Sequence, residues 1–172
     1  KRPQDQVWFP GETVIVGIGQ GYMLATPLQL AHATAIIAAK GRNFRPRLLT
    51  GIRDPVSGQW QRLQPVEGER VRLKDEANWD VITEGMLRVT ESNHGTAYGA
   101  LRGTPYHVAG KTGTAEDSTG GPDHAWFACF APYPNGQIVV VAFAQNTPGG
   151  GSVHALPMAR KVLEVWTQLR KS

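Results

Sequence analysis

The chain has 172 residues, 41% hydrophobic and 19% charged, with a formal net charge of +4. That length suits one ordinary domain, and the composition excludes a disordered tail. The longest apolar runs, among them Ile138 to Ala144, reach only seven residues, too short to cross a bilayer as a helix. No N-terminal stretch has the order of a signal peptide. A single cysteine, Cys129, excludes an internal disulfide framework and a Cys-rich metal site. The charge is uneven: Lys40, Arg42, Arg45, Arg47 and Arg53 cluster, whereas Lys111 is the one Lys or Arg between Gly103 and Ala159. The cluster reads as a solvated hairpin face, and with no recognisable nucleic-acid module beside it no nucleic-acid partner is expected. The polar start at Lys1 carries no initiator Met, and the expectation is a piece of something longer.

In chain order, Val14 to Gly21 is a short apolar run entering a Gly-rich loop. The spacing then predicts a helix from Pro27 to Lys40. Thr26 and Gln29 form a capping box, Pro27 takes the first position and Gly41 the C′ position. Its Ala, Leu and Ile content predicts burial on most sides. A hairpin follows: Arg47 to Ile52 and Gln59 to Pro65 flank the turn Asp54-Pro55-Val56-Ser57-Gly58. A second helix spans Asp75 to Glu91, with Trp79, Ile82, Met86 and Val89 at steps of three and four, and Asn93-His94-Gly95 ends it. Three strands are expected at Tyr106 to Ala115, Ala125 to Ala131 and Ile138 to Ala144, antiparallel because their connections are short. A last helix runs from Val153 to Arg170, its core face assigned to Val162, Leu163, Val165, Trp166 and Leu169, with Pro157 delaying or kinking the first turn.

Two nucleotide look-alikes fail. Gly17-x-Gly19 needs a third glycine where Tyr22 stands, and Gly110-Lys111-Thr112 lacks both the upstream P-loop glycine and a following helix. The five histidines show no metal-ligand spacing, and His32 reads as a core histidine. Lys111-Thr112-Gly113-Thr114 on a strand remains. Glycine in a strand marks close approach of another backbone. The two threonines share a face, and the isolated lysine is expected to make that face positive. Such a surface suits an extended peptide ending in a carboxylate, added to the strand by backbone pairing.

Lys-Thr-Gly is one of three motifs of penicillin-binding proteins and class A β-lactamases. Its context sharpens the match: Trp8-Phe9-Pro10-Gly11-Glu12-Thr13, Gly17 to Tyr22, Ala25 to Ala31, Gly95-Thr96-Ala97, Ala109 to Glu116, and Trp126 to Pro132. Through these segments, in order over nearly the whole chain, the sequence resembles the C-terminal part of the transpeptidase domain of class B penicillin-binding proteins, closest to the elongation type. The resemblance implies an α+β fold, an antiparallel sheet flanked by helices, of which residues 1–172 supply the last three strands and the C-terminal helix. It also implies that the strand Ile138 to Ala144 pairs with an upstream strand, so its edge is expected to be seen covered.

The family is similar in using Ser-x-x-Lys and Ser-x-Asn as well. None of Ser57, Ser92, Ser118 and Ser152 begins either motif, and Ser172 is terminal; the resemblance places both upstream of residue 1. It implies acyl transfer from D-Ala-D-Ala stem peptides of peptidoglycan through a Ser acyl-enzyme, which β-lactams stall, with no cofactor. By resemblance Lys111 keeps the site positive and helps move protons, and Thr112 and Thr114 bind the ligand carboxylate. Gly113 admits the ligand backbone, the Thr114 N–H is one oxyanion donor, and Glu116 lines the site. The implied partners are the upstream part of the same domain and a glycosyltransferase of the elongation machinery. The implied location is the periplasmic face of the inner membrane, with the anchor outside this chain. The alternatives are a non-catalytic peptide-binding module or β-lactam sensor of the same superfamily and, weakened by both failed glycine patterns, a nucleotide-binding protein.

Overall fold

The computed structural model describes residues 6–117 and 119–170; Ser118 and Ser172, two of the serines searched for the family motifs, lie outside them. The chain runs α1 (Pro10–Gly17), α2 (Pro27–Ala38), β1 (Gly51–Arg53), β2 (Trp60–Arg62), α3 (Asn78–Glu91), β3 (Ala109–Ala115), β4 (His124–Ala131), β5 (Ile138–Ala144) and α4 (Ala155–Leu169). It is an α+β fold: β3, β4 and β5 form an antiparallel sheet in that order, and β1 and β2 form a separate hairpin.

The strong local signals hold. At the start of α2 the Gln29 N–H donates to Thr26 Oγ1 (3.2 Å), and the Thr26 N–H donates to Gln29 Oε1 (2.8 Å). At the other end of α2 the C′ position falls to Lys40 (φ +49°) rather than to Gly41, which follows at C″ with φ +89°; the Lys40 N–H donates to the Ile37 carbonyl (3.0 Å) and the Gly41 N–H to the Ile36 carbonyl (2.9 Å). In the hairpin turn Asp54 Oδ1 accepts the N–H groups of Val56 and Ser57 at 2.9 and 2.6 Å. Those bonds, the Ser57 N–H first, hold its carboxyl below the usual carboxylate range. The basic cluster is solvated: Arg42 pairs with exposed Glu67, and Lys40 with exposed Asp80.

Several expected bounds contract: the hairpin arms pair only over Gly51–Arg53 and Trp60–Arg62, α2 ends at Ala38 and β3 starts at Ala109. Four further expectations change. Val14 to Gly17 closes the exposed helix α1, which buries no residue. α2 is half-buried rather than enclosed, with only Thr34 fully buried, because the sheet lies along one side of it. α3 begins three residues later than expected. Asp75 instead closes the preceding turn, its Oδ1 accepting the Ala77 N–H at 2.9 Å. In α4 the core face is Ala155, Leu156, Ala159 and Leu163, while Val162, Val165 and Leu169 are exposed. The alanines let the helix axis approach the sheet, so the buried stripe follows the small residues. Pro157 falls in the first turn, where a missing N–H leaves no helical bond unmade.

One core lies between α4 and the sheet. Ala125, Phe127, Cys129 and Ala131 of β4 pack with Val140 and Ala142 of β5, with Leu156 and Leu163, and with Val108, Ala97 and Leu101. The opposite face of β4 and β5 meets α2, where Phe130 is fully buried. The sheet thus has two outer strands. The far side of β5 carries no strand among the described residues; the expected cover, an upstream strand or a second copy, would come from outside this single chain. β3, at the other side, bears the motif.

Candidate active site

β3 pairs with β4 along one side only. Its outer side therefore presents backbone N–H and C=O groups outside any ladder. Strand alternation divides the motif. Thr112 and Thr114 lie opposite Phe127 and Ala125 and share their face; Lys111 and Gly113 lie opposite Ala128 and Trp126 on the other. The expectation of lysine and threonines on one face is therefore corrected, since a period of two separates Lys111 from both threonines. What gathers the four residues is the strand edge, reached from either face.

Each position has a distinct environment. Lys111 is exposed, and its Nζ donates to the Thr112 carbonyl at 2.6 Å. No carboxylate pairs with it among the described residues. Thr112 is half-buried, with its Oγ1 2.7 Å from Thr96 Oγ1. A Cβ on Gly113 would lie 3.2 Å from Trp126 Cβ, so a side chain there would crowd its cross-strand neighbour. Thr114 is exposed. Glu116, just past the strand, is exposed, and its N–H donates to Gln20 Oε1 at 3.3 Å.

Three segments brace this strand. The loop after α3 brings Thr96, and the Gly19-Gln20-Gly21 loop holds the strand exit through Gln20. The Gly149-Gly150-Gly151 loop lies on the threonine face. A Cβ on Gly150 would stand 2.7 Å from Thr114 Oγ1, and one on buried Gly151 would stand 2.0 Å from the Trp126 carbonyl. Gly95-Thr96-Ala97 was among the matching segments, but no role for Thr96 followed from the sequence. Beyond the strand, Asp117 accepts from the Thr119 hydroxyl (2.6 Å), the Thr119 N–H (3.0 Å) and Asn146 Nδ2 (3.4 Å). The Thr119 hydroxyl, and then its N–H, hold the Asp117 carboxyl below the usual carboxylate range. Asn146 thereby ties the β3–β4 connection to the end of β5.

Comparison with known proteins identifies the domain that carries this strand. The penicillin binding protein transpeptidase domain matches residues 3–164. The chain belongs to that family. It is 38% identical, over 184 aligned positions, to the peptidoglycan D,D-transpeptidase MrdA of Haemophilus influenzae, covering 99% of this chain and 27% of that protein. Among solved structures it is similar to penicillin-binding protein 2 of Pseudomonas aeruginosa in complex with WCK 5153. The TM-score is 0.79 and the identity 41%, over 95% of this chain and 35% of that one. It is also similar to Helicobacter pylori penicillin-binding protein 2 in a complex with MreC, with TM-score 0.72 and 29% identity, over 95% of this chain and 29% of that one. The chain thus spans about a quarter to a third of the length of these relatives. Among the described residues no helix is long and apolar enough to cross a membrane, and no three His, Cys, Asp or Glu side chains gather to hold a metal ion.

Proposed function

We propose that this chain is the C-terminal portion of a peptidoglycan D,D-transpeptidase domain, and that it supplies the Lys-Thr-Gly wall of the active site. The observation that carries this reading is Lys111-Thr112-Gly113-Thr114 on an outer strand of a domain matched across residues 3–164. The nucleophilic Ser-x-x-Lys and the Ser-x-Asn motif lie in the preceding part of the same domain.

In this reading a stem peptide ending in D-Ala-D-Ala lies along β3 as an added strand. Thr112 and Thr114 hold its terminal carboxylate from the threonine face. Lys111, with no carboxylate paired to it among the described residues, raises the local potential and relays protons toward the Ser-x-Asn serine. Serine Oγ attacks the penultimate carbonyl, the C–N bond breaks, and D-Ala leaves with the proton. An amine of a neighbouring strand then attacks the ester, forms the new amide and returns the proton to serine. The Thr114 N–H is one of two oxyanion donors, each worth on the order of 100-fold in rate. Gly113 keeps the ligand path open, and Glu116 lines its end. β-Lactams acylate the same serine. The enzyme works at the extracytoplasmic face of the inner membrane beside a glycosyltransferase of the elongation machinery; the pairing with a polymerising partner is supported by the likeness to a peptidoglycan synthase complex that coordinates polymerization and crosslinking.

The test is labelling of the intact protein by a fluorescent penicillin. Labelling is expected, with Lys111→Ala lowering the acylation rate by on the order of 100-fold or more. The 172-residue chain alone is expected to stay unlabelled. Near-normal acylation of the variant would remove Lys111 from its role. An intact protein without labelling would favour a non-catalytic peptide-binding module.

A further inference from the structure

We propose that Thr96 is a positioning residue for the carboxylate site: its hydroxyl donates to Thr112 Oγ1 and so commits the single Thr112 proton to the incoming carboxylate. The proposal rests on the transpeptidase reading above and extends it to a residue outside the Lys-Thr-Gly strand.

The loop is built to hold Thr96 in place. At the end of α3 the Thr90 hydroxyl lies 2.5 Å from the Val108 carbonyl and 2.9 Å from the Leu87 carbonyl, tying the helix to the lead-in of β3. The Gly95 N–H donates to the Ser92 carbonyl at 2.8 Å, and the Ala97 N–H to the Val89 carbonyl at 3.0 Å. Ala97 is buried in the core, so the residue after Thr96 cannot shift freely. Before Thr96 the chain passes so close to the helix that a Cβ on Gly95 would lie 2.2 Å from the Val89 carbonyl and 2.5 Å from that of Arg88. Between these two fixed points the Thr96 hydroxyl stands 2.7 Å from that of Thr112.

Proton counting gives the contact its direction. A hydroxyl carries one proton and two acceptor lone pairs. Alone, either threonine can be the donor. A carboxylate brings no proton, so a Thr112 that binds one must spend its own proton outward. Only the arrangement with Thr96 donating to Thr112 is then compatible with ligand. A hydroxyl that accepts one hydrogen bond is also polarised into a better donor of the next. Thr96 therefore acts through Thr112 and needs no ligand contact of its own.

The test uses the intact protein and two ligands, a penicillin with its free carboxylate and the methyl ester of the same compound. Thr96→Val, which keeps the shape and removes the hydroxyl, is expected to lower the second-order acylation rate for the free acid about five- to tenfold, the net worth of one hydrogen bond. The ester rate should stay within about twofold, below the worth of one hydrogen bond. Thr96→Ser should restore the acid rate. In a Thr112→Val background, Thr96→Val should have no further effect. Equal losses for acid and ester would show a merely structural role and overturn the proposal, as would an unchanged acid rate or additive losses in the double variant. If the unaltered protein is acylated by neither ligand, the transpeptidase reading itself fails and takes this proposal with it.

Discussion

Cys129 shows how position rather than residue type decides chemistry. It sits on the core face of β4 between Phe127 and Ala131, fully buried, and desolvation pushes its thiol from an ordinary 9.0 up to about 12. Its folded state therefore stays protonated in a range where the unfolded chain ionises. The contribution to stability is fully present below about pH 9 and is lost as pH rises toward 12. Alkaline unfolding of the protein is expected to be less steep for Cys129→Ala over that window, and identical slopes would contradict the assignment. At neutral pH a thiol reagent should leave Cys129 unmodified until denaturant is added. The residues around the candidate site divide by how far their role can be read locally. Lys111, Thr112, Gly113 and Thr114 were legible as a run of four on a strand. Thr96 was not, because its role depends on a contact across 16 residues that only the α3–β3 packing creates.

Secondary structure was most readable where local chemistry suffices. The capping box of α2, the Asp54 turn, β4 and β5 appear where their residues place them, while β3 starts at Ala109, three residues later than expected. α4 was misread because its bulky residues were taken for the buried ones. Leu163 does anchor the core, but its companions are Ala155, Leu156 and Ala159, and Trp166 turns aside to meet Tyr106 edge-on at 5.6 Å. Leu163→Ala is expected to destabilise the fold by about 2–5 kcal/mol, whereas Val165→Ala, on the exposed side, should cost much less. Comparing the two in denaturant titrations checks the assigned face; similar losses would refute it. Gly95→Ala tests the loop after α3. The clash with two helical carbonyls requires backbone movement, so thermal stability should fall by an amount that no exposed glycine, such as Gly85, reproduces.

The molecule as a whole carries more apolar surface than its core can use. Phe9, Val14, Ile15, Leu24 and Leu28 are exposed at the N-terminal end, and β5 ends the sheet with an apolar outer strand. Patches of this kind mark surfaces meant for other protein. Isolated, the chain is expected to self-associate at micromolar concentration, with sedimentation shifting upward as concentration rises. A monodisperse monomer at high concentration would show these surfaces to be tolerated in water. Composition and length alone had described one ordinary domain, because a count of hydrophobic residues does not record which of them find partners.

The two outer strands of the sheet differ in kind, and the difference makes the molecule a natural half of a split reporter. On the proposed reading β5 is a seam and β3 a working surface, so the piece bearing the nucleophile and the piece bearing Lys111 can be made separately. A penicillin label would then form only where the halves had met along β5. Its yield against concentration would read out the strength of that seam, turning an exposed strand edge into a measurable association constant.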